Sequence, residues 1–149
     1  MRGKRNANKC EGCGCIRKRQ NKIISKIMNN EDKLEKFQDL LVWQKAHQLA
    51  LEIYRVTRDF PKEEKFALVS QMRRAAVSVP ANITEGFRKR GRKDKLNFYN
   101  IAQASLDELY YYMILSKDLG FIQDGSNLTN LIEEIARMLA GLIKSIRER

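Results

Sequence analysis

From Leu40 onward, apolar side chains recur every three or four positions and never settle into alternation at every second one. A spacing of three to four draws one stripe along a helix, whereas alternation is the mark of a half-buried strand, so the pattern restricts the chain to an all-α fold. The restriction survives a proline. Over roughly 63–87 the seam Phe66, Val69, Met72, Ala76, Val79, Ile83, Phe87 keeps one phase on both sides of Pro80. Proline lacks an N–H and crowds the preceding turn, so the Ala76 carbonyl loses its partner and the expectation is one continuous, kinked rod.

Three more helices follow from the same reading. The first, roughly 40–59, carries Val42, Ala46, Leu49, Ile53, Val56 and Phe60 and is stopped by Asp59-Phe60-Pro61. The third, roughly 94–119, has Asp94 as a start signal and the seam Phe98, Ala102, Ser105, Leu109, Tyr112, Ser116, Leu119, with a second stripe of Tyr99, Leu106, Met113 and Ile114. In the fourth, Leu128, Leu131, Ile135, Met138 and Leu142 form a face flanked by Ile132, Leu139 and Ile143. Gly86 or Gly91 is expected to supply the left-handed residue after the second helix and Gly120 after the third, with Ser126 or Asn127 capping the fourth. Short connections between such rods predict an antiparallel up-down four-helix bundle over residues 31–149, and the surplus apolar width of the third and fourth helices predicts self-association.

Charge divides the chain differently. The net +11 is concentrated in two places: residues 1–27 hold nine Lys/Arg against the single Glu11, and Arg88, Lys89, Arg90, Arg92, Lys93 and Lys95 surround only Asp94. Localised positive charge points to a polyanion, with nucleic acid favoured over acidic lipid because no amphipathic membrane helix accompanies it. No apolar run spans a membrane and no apolar core of a secretory signal is present, which places the chain in the cytoplasm. The N-x-T triplets at Asn82 and Asn127 are then without meaning.

Residues 1–30 form a basic leader without hydrophobic periodicity, read as disordered or as lying upstream of a true start at Met28. All three cysteines, Cys10, Cys13 and Cys15, fall there, but a structural zinc site wants four ligands and the only histidine, His47, sits on the first predicted helix. No metal or other cofactor is expected.

Enzymatic constellations are likewise missing. One histidine cannot furnish the two Glu-x-x-His motifs of a di-iron bundle. The pairs Asp107/Glu108 and Glu133/Glu134 are adjacent on helices, so each fans out with one member inward. "GFRKRGRK" places Arg92 and Lys93 where a phosphate-binding loop requires lysine and a hydroxyl, and no strand precedes it. A helix-turn-helix is disfavoured because the third helix is apolar nearly all round. Arg73 and Arg74 flank the core seam and are open to two readings, a salt bridge to Glu85, Asp107 or Glu108, or a bidentate grip on phosphate. Tyr110, Tyr111 and Tyr112 point in three directions, so some must pack inward.

The phrases "LVWQKAHQLALEIYRVTRDFP", "LVSQMRRAAVSVPANITEGF" and "NFYNIAQASLDELYYYMILSKDLGFI", within residues 41–122, resemble the four-helix-bundle family encoded in intervening sequences of bacterial 23S rRNA genes. Gln71 to Gly86 is the most specific part, and Ala102 to Glu108 matches the family's Ala-x-x-Ser-x-x-Glu. The resemblance implies a cytosolic bacterial protein without enzymatic activity that assembles as a cyclic homopentamer. It also raises an accessory role beside a reverse transcriptase, as a related bundle serves. "RKRGRKDK" is more basic than the corresponding loop usual in the family, which favours RNA as ligand, held by Arg88, Lys89, Arg90, Arg92, Lys93 and Lys95 with Arg73 and Arg74. The competing expectation is a scaffold that docks a protein partner.

Overall fold

The computed structural model of the chain describes residues 34–148. The leader, its cysteines and the boundary expected near residue 30 lie outside the described residues. Four helices dominate: α1 (Leu41–Val56), α2 (Leu68–Arg88), α3 (Arg92–Asp118) and α4 (Ser126–Arg147), and no strand occurs among the described residues. Each helix packs on its neighbour in sequence, and α1 also meets α4. The four stripes thereby share one core, in which Leu49, Ile53, Val79, Ile83, Tyr99, Leu106, Ile135 and Leu139 have no solvent exposure.

The packing between α2 and α3 is the most extensive and the closest. Gly86 is buried beneath the Tyr99 ring, so near that a Cβ there would lie 2.5 Å from Tyr99 Cε1. Farther along, Ser105 Oγ donates to the Ile101 carbonyl (2.9 Å), which leaves Ser78 Oγ to donate to Ser105 Oγ (2.9 Å) while accepting from Asn82 Nδ2 (2.9 Å). At the far end the buried Ser116 lies 3.5 Å from Met72 Sδ. Small residues let the two backbones approach, and the hydroxyls are satisfied on arrival.

Pro80 sits inside α2, which runs unbroken from Leu68 to Arg88. Around it Thr84 Oγ1 donates to the Pro80 carbonyl (2.9 Å) and accepts from Trp43 Nε1 on α1 (3.0 Å). A proline turn thus becomes the place where α1 is fastened to α2. Lys45 Nζ reaches Glu134 Oε1 across the α1–α4 seam at 3.0 Å.

Several expectations at the helix ends are corrected. The second helix begins at Leu68, because Lys62–Phe66 after Pro61 is a separate 3-10 turn. Phe66, expected in the seam, is 87% exposed. The first helix proper stops at Val56, followed by the 3-10 turn Thr57–Asp59. Neither Gly86 nor Gly91 is left-handed; Gly86 is present for its size and Gly91 precedes α3 with φ −71°. Gly120 does adopt φ 77°, and its N–H meets the Lys117 carbonyl while that of Phe121 meets Ser116, the paired bonds of a Schellman stop. Asp94, Ser126 and Asn127 do not cap by side chain; the nearest equivalent is Asp124 Oδ1, which accepts from the Ser126 N–H at 3.0 Å. On α3 the supposed second stripe of Tyr99, Leu106 and Met113 is core, whereas Ile114 and Leu119 face solvent.

The Gly86–Tyr99 contact yields a signed test. Ala normally stabilises a helix over Gly by about 1 kcal/mol, but forcing a methyl against a buried ring costs about 1–3 kcal/mol. In urea unfolding Gly86→Ala should therefore be neutral to destabilising, and in a Tyr99→Leu background it should turn stabilising. Stabilisation by the full helical increment with Tyr99 in place would contradict the packing described.

Candidate nucleic-acid interface

The basic cluster sits where α2 turns into α3. Lys89 is extended (φ −74°, ψ 135°), its N–H bonding the Gly86 carbonyl, and three residues later α3 begins, with Lys95 N–H closing on the Gly91 carbonyl. Six cations are thereby crowded onto one end of the molecule. Three of them rest on aromatic rings: Lys89 Nζ lies 5.0 Å from the centre of Phe98, Lys95 Nζ 6.0 Å from Phe87, and the Arg88 guanidinium carbon 6.0 Å from Phe37. Arg92 donates to the Arg147 carbonyl at the end of α4, tying the loop to the fourth helix.

Each exposed cation–ring contact contributes about 0.5–1 kcal/mol. That is comparable to the cost of about 0.5–1.5 kcal/mol for ordering a long side chain on binding. The rings therefore hold the charges in place without neutralising them. Among the described residues Arg88, Lys89, Arg90, Arg92 and Lys93 have no carboxylate within ion-pair distance. Repulsion among them favours solvent ions or a bound anion at this end of the bundle.

Arg73 and Arg74 do not join this cluster. They precede Arg88 on α2 by about fourteen residues, or about 21 Å along the helix axis. Neither forms the salt bridge to Glu85, Asp107 or Glu108 that was one of the two expectations. Instead Arg73 Nε donates to Thr57 Oγ1 (2.9 Å) and its guanidinium lies 4.7 Å over the Tyr54 ring. Thr57 is 3% exposed and donates its own proton to the Ile53 carbonyl (2.7 Å), so the end of α1 orients Arg73. Both arginines line an open groove of about 690 Å³ on the side of the bundle, with Lys65, Phe66, Val77 and Glu108 among its other walls.

The remaining sequence candidates divide. His47 is exposed and stacks flat on Trp43, with ring centres 5.2 Å apart. Of the carboxylate pairs, Asp107 and Glu108 are both exposed, so neither turns inward as expected, and Glu108 accepts from Tyr112; Glu134 is half-buried and pairs with Lys45 while Glu133 pairs with Arg137. Tyr112 packs against the core, and Tyr110 and Tyr111 are exposed. Among the described residues no three His, Cys, Asp or Glu side chains converge as metal ligands, and no helix is long and apolar enough to cross a membrane. The rings beside Arg88, Lys89 and Lys95 are not among the sequence-based expectations. Their signal was present in Phe87 and Phe98, each within a few residues of a lysine, but both had been assigned wholly to the core.

The family described as 23S rRNA-intervening sequence protein matches residues 38–141. A solved structure, that of a protein with unknown function from the S23 ribosomal protein family of Bacteroides thetaiotaomicron VPI-5482, superposes with TM-score 0.65 at 28% identity, covering 70% of this chain and 96% of that one. Among curated proteins none matches.

The Tyr112–Glu108 bond, 2.7 Å long, carries a pH signature. Its hydrogen bond to Glu108, then burial, raise the Tyr112 phenol above its ordinary value of 10.0. The folded chain holds that proton more tightly than the unfolded chain does. The resulting stability is full below the ordinary value and is lost as pH rises through the raised one. Thermal unfolding across about pH 8 to 11 should show a shallower alkaline decline in Tyr112→Phe than in the wild type. Equal slopes would show that the bond does not persist in solution.

Proposed function

The chain belongs to the 23S rRNA-intervening sequence protein family, and from that premise we propose that it is a non-enzymatic, self-associating four-helix bundle that binds structured RNA through the loop joining α2 to α3. The observation that carries this reading is the end-face cluster of Arg88, Lys89, Arg90, Arg92, Lys93 and Lys95, in which Arg88, Lys89 and Lys95 lie over Phe37, Phe98 and Phe87 and Arg92 bonds the end of α4. Arg88, Lys89, Arg90, Arg92 and Lys93, with no carboxylate partner among the described residues, suit a ligand that brings its own regular array of negative charge. A phosphate backbone is such a ligand, and structured RNA presents it at defined spacing.

The helices alternate in direction in this proposal, as the contacts pairing 72 with 116, 78 with 105 and 86 with 99 support. Copies related by a cyclic axis all point the same way, so a homopentamer would gather every copy's loop on one rim. Weak phosphate contacts of a single loop then become effectively intramolecular after the first has formed. The setting we propose is the cytoplasm. Arg73 and Arg74, displaced along α2, are assigned in this reading to protein contact rather than to phosphate.

A second reading, in which the bundle is an accessory scaffold for a polymerase or similar protein, is favoured by Phe66, which is 87% exposed at the edge of the lateral groove. The readings separate on nuclease treatment of the protein purified with its native partners. A protein partner should persist after digestion, whereas an RNA-dependent association should not.

Binding of an RNA hairpin to the full chain should weaken steeply with salt. The combined Arg88→Ala, Arg90→Ala, Arg92→Ala variant should lower the slope of log K against log salt by about three, one for each lost phosphate contact. An unchanged affinity and slope would remove the loop from the mechanism.

A further inference from the structure

The bundle leaves two unlike apolar surfaces bare, and they are complementary. One is the lateral groove, where Tyr54, Phe66 and Val77 are 44%, 87% and 45% exposed and Lys65, Arg73 and Arg74 face the single carboxylate of Glu108. The other is the outward side of α3. Asn100, Ala104, Asp107, Tyr111, Ile114 and Asp118 follow one another at intervals of four, three, four, three and four, and every one is exposed. That interval is the repeat that keeps a seam in register along a partner helix. Here the seam is turned away from the molecule's own core, with Tyr111 57% and Ile114 46% exposed and flanked by Asp107 on one side and Asp118 on the other.

We propose that the groove of one copy seats the α3 stripe of a second copy. Sign as well as shape selects this pairing. Two grooves face to face would oppose Lys65, Arg73 and Arg74 to their own equivalents. Two stripes paired about a twofold axis would bring aspartate against aspartate. Groove against stripe is the one pairing of these surfaces that sets cations beside carboxylates and apolar side chains beside apolar side chains. Tyr111 and Ile114 supply the buried anchors, and Phe66 supplies the wall that closes over them. Such a contact is head-to-tail, so every copy that docks leaves one groove and one stripe open and the assembly grows until it closes on itself. The inference rests on the self-association proposed above and specifies the surfaces through which it acts.

The test uses sedimentation of the full-length chain and two variants, Arg74→Glu in the groove and Tyr111→Glu in the stripe, with helical circular dichroism confirming that each is folded. Phe66→Asp and Ile114→Lys serve as a second pair. The wild type should run as a multiple of its 17.4 kDa chain mass and each variant at or near one chain. An equimolar mixture of the groove and stripe variants retains one intact stripe and one intact groove, so it should give a two-chain species and nothing larger. Variants that keep the wild-type mass, or a mixture that stays at one chain, would overturn the head-to-tail pairing while leaving self-association itself standing. A wild type that remains at one chain up to high concentration would overturn both.

Discussion

The close approach of α2 and α3 is the constraint on which the remaining structure depends. Gly86 permits the Tyr99 ring to lie on the α2 backbone, and the hydroxyls of Ser78 and Ser105 meet without leaving a buried polar group unpaired. Two helices of 21 and 27 residues packed this tightly need only a short link, and Lys89–Gly91 is that link. A longer, looser connection could have spread its charges into solvent. A three-residue link confines six cations to one end and brings three of them, Arg88, Lys89 and Lys95, within reach of rings.

Those rings explain why a basic loop can be more than a solvated turn. A lysine over phenylalanine loses conformational freedom but keeps its charge uncompensated by the ring, whereas a lysine paired with glutamate loses freedom and has its charge offset by the carboxylate. The loop takes the first course at Lys89 and Arg88, and the body of the protein takes the second at Lys45, whose partner Glu134 joins α1 to α4. The same side-chain type therefore serves cohesion along the bundle and leaves charge exposed at its end. Arg73 follows a third course: bound to Thr57 and laid over Tyr54, it stiffens one wall of the lateral groove.

The fold was legible in the sequence wherever periodicity alone decides, and less so where a local competitor intervenes. Val42 through Ile53 and Val69 through Ile83 take the places their spacing implies, and the phase match across Pro80 correctly signalled one helix. Phe66 and Leu119 extend the same arithmetic past the point where the helix exists, because Pro61 starts a separate turn and Gly120 ends α3. Gly86 was read for its conformational freedom when its lack of a side chain was the property in use. That distinction depends on Tyr99, thirteen residues away, and no local pattern carries it. For the candidate site, charge density grouped Arg73 and Arg74 with the loop, but they share its chemistry and not its location. The hydroxyl of Thr57 and the ring of Tyr54, which decide the fate of Arg73, lie on another element, and sequence spacing could not pair them.

The account comes down to whether phosphate meets the protein at the end face or elsewhere. Backbone amide shifts followed by NMR during titration with an RNA hairpin address this directly. The account predicts the largest changes at Lys89 to Lys95, with Phe98 moving with them and Arg73 and Arg74 nearly still. Changes centred on the lateral groove with a silent loop, or no changes at low salt, would contradict it.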